Sequence, residues 1–435
     1  MMLLRFTVRN HKSIRDELTL DLTRPSLRTL QPRGSDWRGV TYRVAGIFGG
    51  NATGKSTVID ALHYAMTAIE ESSTSWQAAR SMQRAPFRLN PETREACSMY
   101  ELEFVFQDRR HLYGFEVDSR GIRREWLRDV PTVRWRTLLE RDRENGLLRP
   151  SLEITDRELA LSRSLQLPKS PFHEVAKALV ANFDVVLVHH AHREVRLKAI
   201  ADMLAEGSIT FDDLQLLLQV ADIGVAKVSL EERDLPEHVR AALSSFFSAI
   251  AKGEQHTGTV NQDASSDLDE PLQEKVVRHL LFSHQGADDD CEPFSISDES
   301  DGTVAWLATA VPALEVLRNG GLLLVDEVDA SLHPHLLDLL IGMFSDEEVN
   351  TQGSQLIFTS HESYILSPLS EVELEPEQVW FTDKDFDGAT QLTCLADFPR
   401  HPDANVAKRY LTGRYGGTPR LSPSLFAALA TSSTD

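Results

Sequence analysis

The nine residues GGNATGKST (49–57) decide the fold. Gly49 and Gly54 bracket four residues, and Lys55, Ser56 and Thr57 follow at once. That is the spacing of a loop whose backbone N–H groups wrap a phosphate, because small residues let the main chain approach it closely. In this reading Gly49, Asn51 and Gly54 belong to the cradle and Lys55 neutralises the β- and γ-phosphates. Ser56 offers its hydroxyl to Mg2+, and Thr57 lies beside the α-phosphate, where the helix N-terminus favours negative charge. The flanks agree: Val44 to Phe48 reads as a short buried strand, and Val58, Ile59, Leu62, Met66 and Ile69 recur at helical spacing. Strand, glycine loop and helix make an α/β fold with a P-loop core sheet, and the cofactors expected are ATP and Mg2+.

Far downstream, Leu322 to Val325 is a continuous apolar run of the kind buried in parallel sheets, and it ends in Asp326-Glu327. A carboxylate at a strand tip can share a metal ion with Ser56, and its neighbour can take a proton from attacking water. Asp326 is therefore the expected second metal ligand and Glu327 the catalytic base. A further apolar strand, Leu356 to Phe358, leads to His361, which is placed to reach the γ-phosphate and join the catalytic set. Ahead of both, Ser300, Gly302 and Thr303 open an apolar helix. Such a helix end is an anion site, and with the P-loop already serving this chain it suits nucleotide held by another subunit.

The chain of 435 residues is long enough for more than one lobe, with an ordinary globular balance of 41% hydrophobic and 26% charged residues. The longest apolar candidate, 304–325, is broken by Glu315 and Arg318, and Arg5 follows the first four residues too soon for a secretory core. A cytoplasmic protein with no membrane partner is expected. Cys97, Cys291 and Cys394 are scattered, which suits reduced structural thiols. A net charge of −21 makes the surface a poor general binder of nucleic acid, leaves a local basic groove possible, and gives weight to protein partners.

Along the chain, Leu4, Phe6 and Val8 and then Leu18, Leu20 and Leu22 alternate as two strands. Residues 100–127 alternate as an antiparallel β meander with turns at 108–110 and 119–121. Residues 151–250 look mainly helical, with amphipathic stretches at 171–183, 196–206 and 237–252. Acidic flexible loops follow at 253–274 and 286–293, and no heptad run supports a long coiled coil. The expected organisation is an N-terminal ATPase lobe (1–150), a helical insertion (151–285), a C-terminal ATPase lobe (286–400) and an interface tail (401–435).

This order of loop, signature turn, Asp-Glu strand and histidine resembles the ABC-type ATPase heads of the SMC and RecF kind, and within them the compact AAA_15/AAA_21 ATPases of bacterial anti-phage systems such as AbiLi and RloA. The likeness runs through FTVRNHKSIRDELTLDL, ELEFVFQDRRHLYGFEV, ADIGV, ESDGT, LLLVDEVDASLHPHL, TSHESYIL and KRYLTGRYGGTP. It implies an ABC-head fold with a helical lobe. It also implies a signature of Ser300, Gly302 and Thr303 acting in trans, Asp329 in a loop that crosses to the partner, and hence a homodimer or higher homo-oligomer. The implied role is a conformational switch in abortive-infection defence that controls a separate effector, a nuclease of the RloB or TOPRIM type. The alternative is a RecF-like ATPase that clamps DNA.

Other stretches keep two readings. HHAHRE (189–194) is a metal site or a polar strand end, and YLTGRYGGTP (410–419) is a phosphate-binding turn or a packing loop. Arg134, Arg136, Arg141 and Arg143 contact nucleic acid or form a solvated face; Lys12 and Arg15 are family-like basic positions or a solvated turn.

Overall fold

Five consecutive buried residues, Val44–Phe48, form β3 at the centre of a six-stranded sheet. The order is β16-β15-β3-β14-β13-β9, with β9 Phe183–Val186, β13 Leu322–Val325, β14 Gln355–Ser360, β15 Val379–Lys384 and β16 Thr390–Cys394. All neighbouring pairs are parallel except the β15–β16 hairpin. β13 and β14 are buried at every position, as expected of strands covered on both faces. α1 (Lys55–Glu71) turns Val58, Ile59, Leu62, Met66 and Ile69 into one core with Ala45, Ile47, Leu324 and Ile357. The structure is a computed structural model, and it describes residues 1–79, 81–181, 183–187, 190–221, 223–234, 276–284, 292–399, 405–417 and 424.

The second sheet is antiparallel, in the order β2-β1-β4-β5-β6-β7-β8. β1 is Met2–Arg9, β2 Leu18–Asp21, β4 Ser98–Phe106, β5 Arg109–Asp118, β6 Gly121–Asp129, β7 Arg136–Asp142 and β8 Leu147–Arg149. The expected meander is thus β4 to β6, extended by two strands and joined by the N-terminal pair. Its first turn is Gln107-Asp108, both in the left-handed region. The arginine cluster divides: Arg134 and Arg136 are exposed, Arg136 gripping Asp129 at 2.6 Å, while Arg143 pairs with Asp118. Arg141 is buried and donates to the carbonyls of Glu158 and Thr155.

The chain divides into two compact units, Met1–Val188 with Pro312–Asp435, and His189–Val311. These limits differ from the expected lobes because the mainly helical reading of 151–250 missed two strands. β9 is a member of the P-loop sheet, and β10 (Val225–Asp234) forms a hairpin with β11 (Val276–His284). In the second unit Val228 and Phe282 of that hairpin share a core with Ile200 of α5 (His190–Glu206), Leu214 of α6 (Phe211–Val220) and Leu307. Leu307 belongs to α7 (Asp301–Asn319), which at 19 residues is the longest helix among the described residues. The helix expected at 237–252, the acidic loop at 253–274, most of that at 286–293 and Cys291 lie outside the described residues. No described helix is long and apolar enough to cross a membrane.

Candidate nucleotide site

The strand order brings three carboxyl ends together, the place where open α/β sheets bind ligands. Phe48 pairs with Ser360 on one side and Phe381 on the other, so Gly49 and His361 leave the sheet level with Thr382 of β15. Val325 pairs with Phe358, which sets Asp326 beside Thr359. Gly49, Asn51 and Gly54 fall in the β3–α1 connection, and Lys55, Ser56 and Thr57 form the first turn of α1. Gly54 takes φ 111, and a Cβ there would collide with Thr390. Only glycine meets both demands.

Lys55 is buried and its Nζ donates to the carbonyls of Gly49 at 2.8 Å and Gly50 at 3.1 Å. Burial pushes its pKa below the ordinary lysine range, while the carboxylates of Glu327, Asp329 and Asp326 pull it upward. A buried ammonium that senses three carboxylates from another strand places the P-loop and the Asp-Glu loop in one electrostatic site. Thr57 Oγ1 accepts from Ser13 Oγ at 3.0 Å, and Ser13 lies 2.8 Å from Thr390 Oγ1. The β1–β2 turn therefore holds the first turn of α1. Its basic residues are paired: Lys12 with Asp60 at 2.6 Å, Arg15 with Asp385 and Asp387.

Thr359 organises the acidic loop and was not singled out from the sequence. Its hydroxyl donates to Asp326 Oδ1 at 2.6 Å and accepts the Glu327 N–H at 2.7 Å. The Asp326 N–H reaches the Val186 carbonyl of β9, so the overlooked strand also fixes the expected metal ligand. Glu327 sits at φ 49, a region costly for a side chain with a Cβ. The signal in the sequence was a threonine ending a core strand beside an acidic tip, which becomes specific only once the register is known.

His361 is partly exposed and its Nε2 lies 3.3 Å from Asp329 Oδ2. Asp329 Oδ1 is buried with no hydrogen-bond partner among the described residues. With Glu362, these two groups put three ligand-type atoms within 4.8 Å of one another, a set that can hold a metal ion. The expected Mg2+ donors, Ser56 and Asp326, are a hydroxyl and a carboxylate, the hard oxygens that suit that ion. Ser56 opens α1 behind β3, and Asp326 follows β13 at the same end of the sheet, so the chemistry of the donor pair fits the group.

Ser300, Gly302 and Thr303 stand at the start of α7 in the second unit. Ser300 is exposed, and its Oγ accepts the Thr303 N–H at 3.1 Å, which makes it the helix N-cap. Of HHAHRE, His189 and the side chains of 190–194 lie outside the described residues. YLTGRYGGTP ends α9 (Val406–Leu411) and packs against the P-loop as far as it is described, to Gly417.

The family AAA_21, described as "AAA domain, putative AbiEii toxin, Type IV TA system", matches residues 44–367. No curated protein matches the chain. Among solved structures, an SMC head bound to the C-terminal winged-helix domain of ScpA shares 12% identity at a TM-score of 0.45, over 91% of this chain and 97% of its own. The SMC head domain from Thermotoga maritima gives 12% identity and a TM-score of 0.38, over 91% and 99%. An SMC head from Pyrococcus furiosus, bound to the C-terminal domain of ScpA, gives 12% and 0.38, over 90% and 96%.

Proposed function

The chain belongs to the AAA_21 family of AAA-domain proteins, and from that premise we propose that it is a magnesium-dependent ATPase that closes as a homodimer over ATP. The observation that carries the reading is the strand order β3-β14-β13, which sets the P-loop with its buried Lys55 and the Asp326-Glu327 tip at the same end of one sheet. Lys55 would exchange the Gly49 and Gly50 carbonyls for phosphate oxygens. Mg2+, held by Ser56 and Asp326, would supply charge neutralisation across the β- and γ-oxygens. Glu327, fixed through its N–H by Thr359, would take a proton from water, and His361, paired with Asp329, would meet the γ-phosphate. Ser300 and Gly302 at the exposed start of α7 would complete the partner's site.

The cycle then works as a switch: binding closes two heads and hydrolysis reopens them. The family's description as a putative toxin of a toxin–antitoxin system is in keeping with a role in bacterial defence; a separate nuclease effector under the switch rests on the resemblance to anti-phage ATPases alone. A DNA clamp gains nothing from Arg141 and Arg143, which are spent on internal partners. The test is Glu327→Gln purified from its native cell with ATP and nuclease treatment. A closed dimer carrying a co-purifying small protein is expected. Recovery of a monomer that still binds ATP sinks the dimer switch, and loss of all partners on nuclease treatment favours the clamp.

A further inference from the structure

Beyond Asp326 and Glu327, the loops after β13 and β14 bring together one nitrogen and two carboxylates. His361, Asp329 and Glu362 each offer a ligand atom, all within 4.8 Å of one another. The Asp329 side chain is only 3% exposed. Its Oδ2 faces His361 Nε2 at 3.3 Å, and its buried Oδ1 has no hydrogen-bond partner among the described residues. An ion pair with the histidine therefore meets only one of the two oxygens. Charge-assisted hydrogen bonds close to about 2.7–2.9 Å, and this pair stays wider. Two ligands of one tetrahedral zinc ion, each about 2.0–2.1 Å from the metal, stand about 3.3 Å apart. The histidine and the aspartate thus have the spacing of two zinc ligands.

The backbone holds the group in place. The Val328 N–H donates to the Thr359 carbonyl at 3.0 Å, which ties the loop after β13 to the end of β14. The Ala330 N–H donates to the Glu327 carbonyl at 2.8 Å and closes a turn with Asp329 inside it. On the other strand, the buried Ser360 hydroxyl accepts the Glu362 N–H at 3.0 Å. Asp329 is thus fixed, and the exposed Glu362 is the ligand free to swing inward. An imidazole with two carboxylates suits zinc better than magnesium, which prefers oxygen alone. The two negative charges balance a divalent ion, and three protein ligands leave the fourth position to water.

We propose that His361, Asp329 and Glu362 form a zinc site that uses none of the donors expected for Mg2+, and that zinc there inhibits hydrolysis by occupying the histidine nitrogen. A metal-bound nitrogen carries no proton to offer a phosphate oxygen. The inhibition rests on the nucleotide reading above, in which His361 meets the γ-phosphate; the site itself does not.

The test is calorimetric titration of Zn2+ alone into the nucleotide-free protein, for the wild type, Glu362→Gln and Asp329→Asn. The wild type should hold a zinc ion that both variants weaken by at least about tenfold, since even groups that only support a metal ligand carry that much. Should Asp329→Asn fail to fold, the exposed Glu362→Gln decides alone. No zinc binding by the wild type overturns the proposal, and so does equal affinity in Glu362→Gln, the mark of an ion held elsewhere. ATP hydrolysis in saturating Mg2+ is the second readout. Zinc should slow the wild type, and Glu362→Gln should need at least about tenfold more zinc for the same slowing, with its zinc-free rate unchanged. Equal inhibition of the two proteins means that zinc displaces Mg2+ and overturns the inhibition, as does a filled site with no loss of rate. If the wild type hydrolyses no ATP, the nucleotide reading fails and the inhibition with it, while calorimetry still decides the site.

Discussion

In the P-loop, the carbonyls of Gly49 and Gly50 and the Gly50 N–H are bonded, and the left-handed positions fall on Gly54 and on Ala52 at φ 65. In the loop after β13, Glu327 carries a left-handed φ with a full side chain, and Asp329 keeps a buried oxygen without a partner among the described residues. Both loops leave the same edge of one sheet. One meets its first two carbonyls internally before any ligand arrives. Both hold a left-handed non-glycine residue, Ala52 and Glu327, and the hydrolytic loop adds an unmet buried acceptor, each worth roughly 1–3 kcal/mol. Cost of this kind persists where the surrounding structure over-determines it, here through Thr359 and β9. Binding and hydrolysis should therefore separate cleanly under mutation.

The largest effect expected is from Lys55→Ala, which removes the buried charge that the binding loop is built around. ATP affinity should fall by at least about a hundredfold. Wild-type affinity in that variant, read by equilibrium binding, would break the comparison at once. Glu327→Gln should do the opposite: ATP binds as before and hydrolysis slows by about a hundredfold or more, the usual weight of a general base. Full turnover in that variant would move the base elsewhere.

Thr359→Val sharpens the contrast. It keeps the shape of a fully buried residue and removes the hydroxyl that serves Asp326 and Glu327. kcat should fall about tenfold with KM for ATP little changed, since the lost bonds lie in the hydrolytic loop alone. A rise in KM with kcat intact would mean that Thr359 serves binding.

The asymmetry also explains what was legible in the sequence. The P-loop, β3, α1 and the run into Asp326-Glu327 are local patterns, in which spacing and apolar runs carry the chemistry, and the structure places them as read. β9 and β10 escaped because Phe183–Val186 and Val225–Asp234 are short or half-polar and lie among helices of similar composition. Their strand character comes from partners far away in the chain, Leu322–Val325 and Val276–His284. The arginines of the meander looked basic in one dimension because their carboxylate partners, Asp129 and Asp118, lie on neighbouring strands. Thr359 was invisible for the same reason: its role depends on register.

The smallest effect expected is a pH dependence that belongs to the binding loop only. Burial holds the Lys55 pKa below the ordinary lysine range in the free protein. Triphosphate oxygens favour the charged form, so binding raises that pKa. The sign follows: ATP affinity is full below the free-state pKa and declines as pH rises from it toward the bound-state value. Folding stability runs the other way, because charging a buried lysine costs free energy that is relieved as pH climbs from the folded pKa toward the unfolded one. ATP affinity should therefore fall by a fewfold on an alkaline limb that begins below the lysine range, while the free protein loses no stability from Lys55 over that span. Equilibrium binding and melting curves across the same buffers separate the two. An affinity that stays flat through the lysine range would mean that Lys55 carries its full charge in the free loop, and that the carboxylates of the hydrolytic loop outweigh burial.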